Sequence, residues 1–355
     1  LTRSSAASDV YKRQVTGGLG YIGSHTSVLL LEKGYDIVIV DDLSNSNEKV
    51  LKNIFKITNK TPAFEKIDLK ERELVSKLFK NYNFDGIIHF AAHKSVNESI
   101  HYPKKYFRNN IGSLENIINE IKLLKNPVNF IFSSSCTVYG QADSMPINET
   151  FKLKQAESPY GQSKRKCEEI LESLSKSGHC FKNITLRYFN PVGAHPTSII
   201  GELPVGVPEN LVPYITQTAI GKRDCLTVFG NDYDTKDGTC IRDYIHIMDL
   251  AEVHISCLEK LIEVNDDNFF KVYNVGSGNG TSVLELISLF ESVNQIKLNY
   301  KIGERRKGDV VTAYADASKI KDELNWSTKF SLENALKTAW NWELNIKKNE
   351  NRNQN

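Results

Sequence analysis

Ser133-Ser134-Ser135 closes a short apolar run, and Tyr160 and Lys164 follow in the segment Tyr160-Gly161-Gln162-Ser163-Lys164. A spacing of four puts a phenol and an ammonium on one helical face, one turn apart. A phenol titrates near about 10 in water, so a cation within a few Å is what would make it a base near neutrality. A hydroxyl from the serine run can share the transferred proton, which makes Ser135, Tyr160 and Lys164 a candidate proton-transfer set. A lone Tyr-x-x-x-Lys pair is more often a solvated helix face. Its meaning depends on its company.

That company is Gly17-Gly18-Leu19-Gly20-Tyr21-Ile22-Gly23, directly before a helical pattern that begins at Ser24. Glycines at 17, 20 and 23 allow a tight turn, close approach of backbone to a pyrophosphate, and close packing of helix on sheet. Asp41 lies 18 residues past Gly23, at the end of the apolar run Ile37 to Val40, where a carboxylate can take both hydroxyls of an adenosine ribose. Asp42 adds a charge that would repel a 2′-phosphate, which points to NAD rather than NADP. The competing explanation, a structural glycine turn with an unrelated acidic pair, is disfavoured by the order strand, turn, helix, acid. Together the two constellations read as a proton-transfer site facing a nicotinamide.

The elements that must position these groups are visible as alternation. Ile37 to Val40, Ile87 to Ala91, Phe130 to Phe132, Ile184 to Phe189 and Val272 to Val275 read as strands buried on both faces. Between them Ser24 to Lys33, Lys70 to Lys80, Gly112 to Lys125 and Gln162 to Ser175 read as helices. The fold class predicted is α/β, a Rossmann-type doubly wound parallel sheet with a smaller α/β substrate-binding lobe. Past Asn190 the chain crowds Pro191, Pro196, Pro204, Pro208 and Pro213 among glycines, the texture of a second lobe. The expected division is 15–190 for the NAD-binding domain and 191–344 mainly for the substrate lobe, with part of 243–261 packing back on the first.

Residues 1–14 lack periodicity and are expected to be a non-native scar; residues 345–355, rich in Asn and Lys, are expected to be a flexible tail. The 355 residues are 40% hydrophobic and 25% charged, which excludes disorder for most of the chain. A net charge of +2 gives no field for a polyanion, so nucleic acid is not expected as a partner. No apolar run reaches the length of a membrane span, and the six cysteines, without a CxxC pair, fit reduced thiols and a cytoplasmic setting. The Asn-x-Ser/Thr matches at Asn59, Asn97, Asn148 and Asn183 are then chance sequons. His89 and His93, near Glu98, lack the placement of a tetrahedral site, and no metal is expected. Cys136 has no activating histidine pattern and reads as a packed residue, and Tyr233 as a loop aromatic.

The stretches VTGGLGYIGSHT, IHFAAHKSVNES, FIFSSSCTVYG, SPYGQSK, LRYFNPVGAHP, FGNDYDTKDGTCIRDYIHIMDLA and ERRKGDV carry a resemblance from Val15 to about Trp342. Segment by segment the chain resembles the UDP-glucose 4-epimerase family, extended members of the short-chain dehydrogenase/reductase superfamily. The resemblance implies Tyr160 as general base, Lys164 as its electrostatic partner and ribose ligand, and Ser135 as the hydroxyl bridging substrate and tyrosine. It places Gly17, Gly20, Tyr21, Ile22, Gly23 and Asp41 against the NAD. Asp68 and Leu69 would flank the adenine, Phe90, Ala91 and Lys94 line the cofactor groove, and Tyr188 sits by the nicotinamide. Asn190, Asn210, Leu211, Arg242, Arg306 and Asp309 match positions that hold the uridine diphosphate, two arginines giving bidentate forks for its phosphates.

The implied reaction inverts carbon 4 of a UDP-hexose through a transient 4-keto sugar, in a homodimer of galactose metabolism. Two departures stand out. The first strand reads Val10-Tyr11-Lys12-Arg13-Gln14-Val15, where unpaired charges in a central strand would cost several kcal/mol. Ala313 stands where members restricted to glucose and galactose nucleotides carry a tyrosine, which suggests that N-acetylated sugars are also accepted. A nucleotide-sugar 4,6-dehydratase would begin with the same oxidation, but resembles an Asp-Glu pair where this chain has Cys136-Thr137. A non-catalytic NAD-binding sensor or scaffold would not need the Ser135, Tyr160 and Lys164 set.

Overall fold

The computed structural model describes residues 12–179, 181–306 and 308–352, so the readings made on residues 1–11, Cys180 and 353–355 lie outside it. The strands, in chain order, are β1 (Lys12–Thr16), β2 (Ile37–Asp41), β3 (Ala63–Lys66), β4 (Phe84–His89), β5 (Val128–Ser135), β6 (Phe181–Tyr188), β7 (Asn190–Val192), β8 (Leu226–Phe229), β9 (Ile241–His246), β10 (Phe270–Val275), β11 (Gly280–Ser282), β12 (Tyr300–Gly303) and β13 (Thr312–Ala313). The helices are α1 (Tyr21–Glu32), α2 (Lys49–Thr58), α3 (Arg72–Asn81), α4 (Val96–His101), α5 (Pro103–Ile121), α6 (Pro159–Lys176), α7 (Leu211–Ala219), α8 (Ile247–Glu263), α9 (Val283–Asn294), α10 (Ser318–Leu324) and α11 (Leu332–Arg352).

Seven strands form one parallel sheet in the order β10-β6-β5-β4-β1-β2-β3. Alternation within β2 explains why both faces are covered. Ile37 and Ile39 belong to one buried cluster with α1 and α8 side chains such as Val28, Leu250 and Leu258, while Val38 and Val40 belong to another with Leu78, Ile117 and Leu171 from α3, α5 and α6. The chain runs outward from β1 to β3, then crosses to β4 on the other side of β1. That reversal opens a crevice beyond the C-terminal ends of β1 and β4, where an open α/β sheet takes its ligands.

In the second lobe β9 pairs with β11 antiparallel and with β7 and β13 in parallel, β8 pairs with β12, and Ile215, Phe290, Leu336 and Trp340 are among its core residues. Two buried carboxylates pin its connections: Asp243 accepts the N–H groups of Ser277, Gly278 and Ala315, and Asp249 at the start of α8 accepts those of Lys329 and Phe330.

Three readings change. α5 begins at Pro103, nine residues before Gly112, because nothing crowds that glycine and the helix runs through it. The expected tail from Asn345 is helical to Arg352. Its polar side chains are tied down, Asn345 to the Ser198 carbonyl, Lys347 to the Ile220 carbonyl, and Glu350 to Lys222.

β1 does lie in the middle of the sheet, yet its charges are paired. Lys12 meets Asp36, and Arg13 meets Asp85 at 2.9 Å while its guanidinium lies 5.0 Å over the Tyr35 ring. The liability is Gln14, fully buried, with neither side-chain oxygen nor nitrogen bonded to any described residue. An unpaired buried polar group costs about 1–3 kcal/mol, so Gln14→Met should raise the unfolding free energy by about 2 kcal/mol. Replacing Arg13 should lower it, since Asp85 would lose its partner. Denaturant titration of both variants checks the pair of signs; a loss on Gln14→Met would mean that the amide has partners.

Candidate active site

Ser135 ends β5, and Pro159 starts α6, whose N-cap Ser158 accepts the Gly161 N–H. The cap and the first-turn proline fix where α6 begins, so Tyr160 and Lys164 emerge on one face beside the strand end. Lys164 is buried. Its Nζ donates to the Ser133 carbonyl at 2.6 Å and lies 4.9 Å from the centre of the Phe132 ring. Burial lowers this ammonium to about 8, partly opposed by Cys167 and Glu168.

Tyr160 is buried beside Ser135. Burial pushes its phenol up to about 12, its hydrogen bond with Ser135 opposes that only in part, and one of the three N–H donors of Lys164 is given to the Ser133 carbonyl. Ser135 is oriented by Thr137, whose N–H and hydroxyl both donate to Ser135 Oγ, at 3.2 and 3.0 Å. That leaves the Ser135 proton free to be donated. The Tyr106 ring stands edge-on to Tyr160 at 6.5 Å, fixed by its hydroxyl on Glu98 at 2.7 Å.

The glycine loop divides its labour. A Cβ on Gly17, which has φ +64°, would press on the Ala91 backbone, and one on Gly23 would overlap the Gly17 carbonyl. Gly20 is the N-cap of α1; no side-chain cap covers that terminus and no acid stands in its first turn, which suits its N–H groups to an anion. Ile22 and Tyr21 open the helix, and the Tyr21 hydroxyl donates to the Gly193 carbonyl, tying the loop to the second lobe. Asp41 ends β2, buried, accepting Leu19 N, Leu43 N and Ser46 Oγ. Asp42 accepts from Ser44. Phe90 and Ala91 follow β4, and Asp68 and Leu69 follow β3, the Asp68 carboxylate turned onto Lys70.

Tyr188 is register-paired with Ser135. Its hydroxyl bonds His254 Nε2, and since Nδ1 of that ring meets the Leu250 carbonyl at 2.7 Å and must carry the proton, Tyr188 is the donor. Burial holds His254 neutral, down to about 3.

Across the cleft Arg306 pairs with Asp309 at 2.7 Å and Arg242 stands 4.0 Å from the same carboxylate. Ala313 pairs with Arg242 in β13 and packs in an apolar cluster with Tyr139, Phe189 and Cys136, the neighbour of Ser135. Asn190 opens β7, while Asn210 and Leu211 start α7. Lys94 reaches Glu202, to which Asn210 is also bonded.

A family model described as GDP-mannose 4,6 dehydratase matches residues 15–339. The UDP-glucose 4-epimerase of Pasteurella multocida is 46% identical over 330 residues, 93% of this chain and 96% of that one. The chain belongs to the UDP-glucose 4-epimerase family. A UDP-glucose 4-epimerase structure from Stenotrophomonas maltophila with bound NAD and formylated UDP-arabinopyranose superposes with a TM-score of 0.91, at 40% identity, covering 96% of this chain and all of that one. A UDP-Glc/GlcNAc 4-epimerase from Campylobacter jejuni gives 0.80, at 37% identity over 95% of this chain and all of that one.

Within this epimerase frame, several neighbours of the site carried no sequence signal. Thr137 sits in a quoted stretch without a role assigned to it, and His254, which meets Tyr188, lies outside every quoted stretch. Phe229, exposed at the end of β8, carries the Arg306 guanidinium over its ring at 5.5 Å; it opens one of the quoted stretches, but no role there was assigned to it. Among the described residues no cluster of His, Cys, Asp or Glu suits a metal, and no helix is long and apolar enough to cross a membrane.

Proposed function

We propose that this chain interconverts UDP-glucose and UDP-galactose at carbon 4, with NAD in the β1/β4 crevice and the uridine diphosphate between α7 and the Arg242 and Arg306 pair. One observation carries the reading: Ser135, Tyr160 and Lys164 converge at the end of β5, next to an uncapped glycine helix start, in a member of an epimerase family. NAD, when bound, supplies a hydride acceptor and donor and a positive charge. Asp41 suits the adenosine ribose and the N–H groups of α1 suit the diphosphate. Tyr160 takes the 4-hydroxyl proton and returns it, Ser135 holds the oxygen between them, and Lys164 favours the phenolate. The Arg242 and Arg306 forks grip the diphosphate while the sugar stays loosely held and can present either face.

A dehydratase reading lacks its acid and base. Cys136, next to Ser135, is pushed up to about 12 by burial, and Thr137 is engaged with Ser135. A cytoplasmic setting and a homodimer complete the proposal. Incubation with UDP-galactose and no added reductant, with separation of the epimers, tests the activity. A non-catalytic protein yields no UDP-glucose.

Substrate breadth rests on Ala313. A tyrosine there would bury about 150–250 Å², far more than a methyl group, beside carbon 2 of the sugar. The present chain should therefore also interconvert the UDP-N-acetylhexosamines, as the name of the Campylobacter relative implies for that enzyme. Ala313→Tyr should lower kcat/KM for the N-acetyl pair relative to the glucose pair by at least about tenfold. An unchanged ratio would sink the idea.

A further inference from the structure

Tyr233 lies in the connection between β8 and β9, as a loop aromatic should, yet its ring is only 7% exposed. The Arg305 guanidinium lies 4.3 Å over the ring centre, and the same arginine donates from Nε to Asp232 Oδ1 at 2.7 Å and from Nη2 to the Asp232 carbonyl. Gly230 makes room for this stack. It has φ +80°, and a Cβ there would come within 2.6 Å of Tyr233 Cε2 and 2.9 Å of Arg305 Cγ. The Gly230 N–H donates to the Gly303 carbonyl at 2.9 Å, which ties the loop to the end of β12, two residues before Arg305.

The hydroxyl end of the ring faces the arginine pair. Burial raises this phenol above its usual range, and a hydrogen bond with Cys240 and the charge of Asp309 add to that. Cys240 directly precedes β9, two residues before Arg242, and Asp309 is the carboxylate that Arg306 and Arg242 approach at 2.7 and 4.0 Å. Consecutive arginines are thus sorted onto two rings of one loop. Arg305 lies on Tyr233 with the exposed Asp232, while Arg306 lies over Phe229 and pairs with Asp309. A guanidinium is weakly hydrated and sits flat on an aromatic face, so the Tyr233 ring can fix Arg305 without a buried ion pair.

We propose that Tyr233 is a positioning residue for the arginine pair: stacked under Arg305 and seated against Cys240, it holds the 305–309 segment at the distance from β9 at which Arg306 and Arg242 fork one diphosphate. The inference rests on the reading above that this pair holds the uridine diphosphate. A purely electrostatic account has the opposite sign. Arg305 is a third cation beside the pair, and freeing it from Tyr233 and Asp232 would add attraction for a diphosphate and tighten binding. If the ring sets the spacing, its loss misplaces Arg306 and weakens binding although every charge remains.

Calorimetric titration of the holoenzyme with UDP and with uridine, together with UDP-galactose kinetics, separates the two accounts. Tyr233→Leu should weaken UDP about 10-fold and raise KM by a similar factor. Its kcat should change by less than about threefold, since the loss is in ground-state binding. Uridine, which has no phosphates for the arginines to fork, should change by less than about twofold. Tyr233→Phe keeps a ring under Arg305 and should stay within about threefold of the parent for UDP. Asp232→Ala gives a second test at a side chain that is 68% exposed, where no core is disturbed. It should weaken UDP about threefold by loosening Arg305, whereas loss of a carboxylate would by charge alone tighten a diphosphate. A Tyr233→Leu or Asp232→Ala variant that binds UDP as well as the parent or better overturns the proposal. So does a Tyr233→Phe variant that loses as much as Leu, or a Tyr233→Leu variant that loses UDP and uridine equally. A parent enzyme that binds UDP no more tightly than uridine overturns the reading on which it rests.

Discussion

Tyr160→Phe is expected to lower turnover of UDP-galactose at least about 100-fold, the floor for losing a general acid and base, while NAD stays bound. The phenol is hydrogen-bonded to Ser135, which places it to exchange a proton with a 4-hydroxyl held there. Phenylalanine keeps the ring, and so keeps the edge-on contact with Tyr106 and the packing of α6. Stability and cofactor content should therefore be unchanged, and only the chemical step should suffer. Cofactor content measured alongside kcat distinguishes the cases: near-parental turnover would remove Tyr160 from its role, and lost NAD would make it a binding residue.

The second large effect concerns the support beneath the site. Arg187 and Glu168 form a buried fork, 3.0 Å from Nε to Oε1 and 2.6 Å from Nη2 to Oε2, each side chain less than a tenth exposed. Ser134 donates to the same carboxylate at 2.5 Å, and Arg187 Nη1 donates to the Tyr139 hydroxyl, which in turn donates to Asn274. This network fixes the residue before Ser135 and the residue before Tyr188. Removing one partner of a buried pair strands the other charge, which costs about 3–5 kcal/mol. Glu168→Ala should show that loss in denaturant unfolding, together with a drop in kcat as the end of β5 loosens. A loss under about 1 kcal/mol, the range of exposed pairs, would mean that water reaches the guanidinium.

Much of the first lobe was legible because its strands are buried on both faces and so appear as unbroken β-branched runs; Ile37 to Val40 needed only one residue, Asp41, to complete β2. The second lobe was legible only as texture. β7, β11 and β13 are two or three residues long, too short for any periodicity, and they exist because β9 offers them partners. The end of α11 was misread since Asn and Lys dominate its composition, whereas its helix is held by bonds to the 198 and 220 carbonyls that no local pattern announces.

The same distinction runs through the site. Tyr160 and Lys164 share one turn of helix and could be read from spacing, and Gly17, Gly20 and Gly23 from their order before a helix. What spacing could not give was the direction of Lys164, which depends on the Ser133 carbonyl 31 positions away. Nor could it give Glu202, whose two partners come from positions 94 and 210. Polar first-strand residues misled for a related reason: Arg13 looked unpaired because Asp85 is supplied by the neighbouring strand β4, about 70 positions along the chain.

The central claim is that a hydride leaves carbon 4 and returns to it within one pocket, with Tyr160 moving only the proton. Incubating the enzyme with UDP-galactose deuterated at carbon 4, in ordinary water and without added reductant, tests this most directly. The account predicts UDP-glucose that keeps its deuterium at carbon 4. Loss of that deuterium to water, or a product lighter by one water molecule, would contradict it.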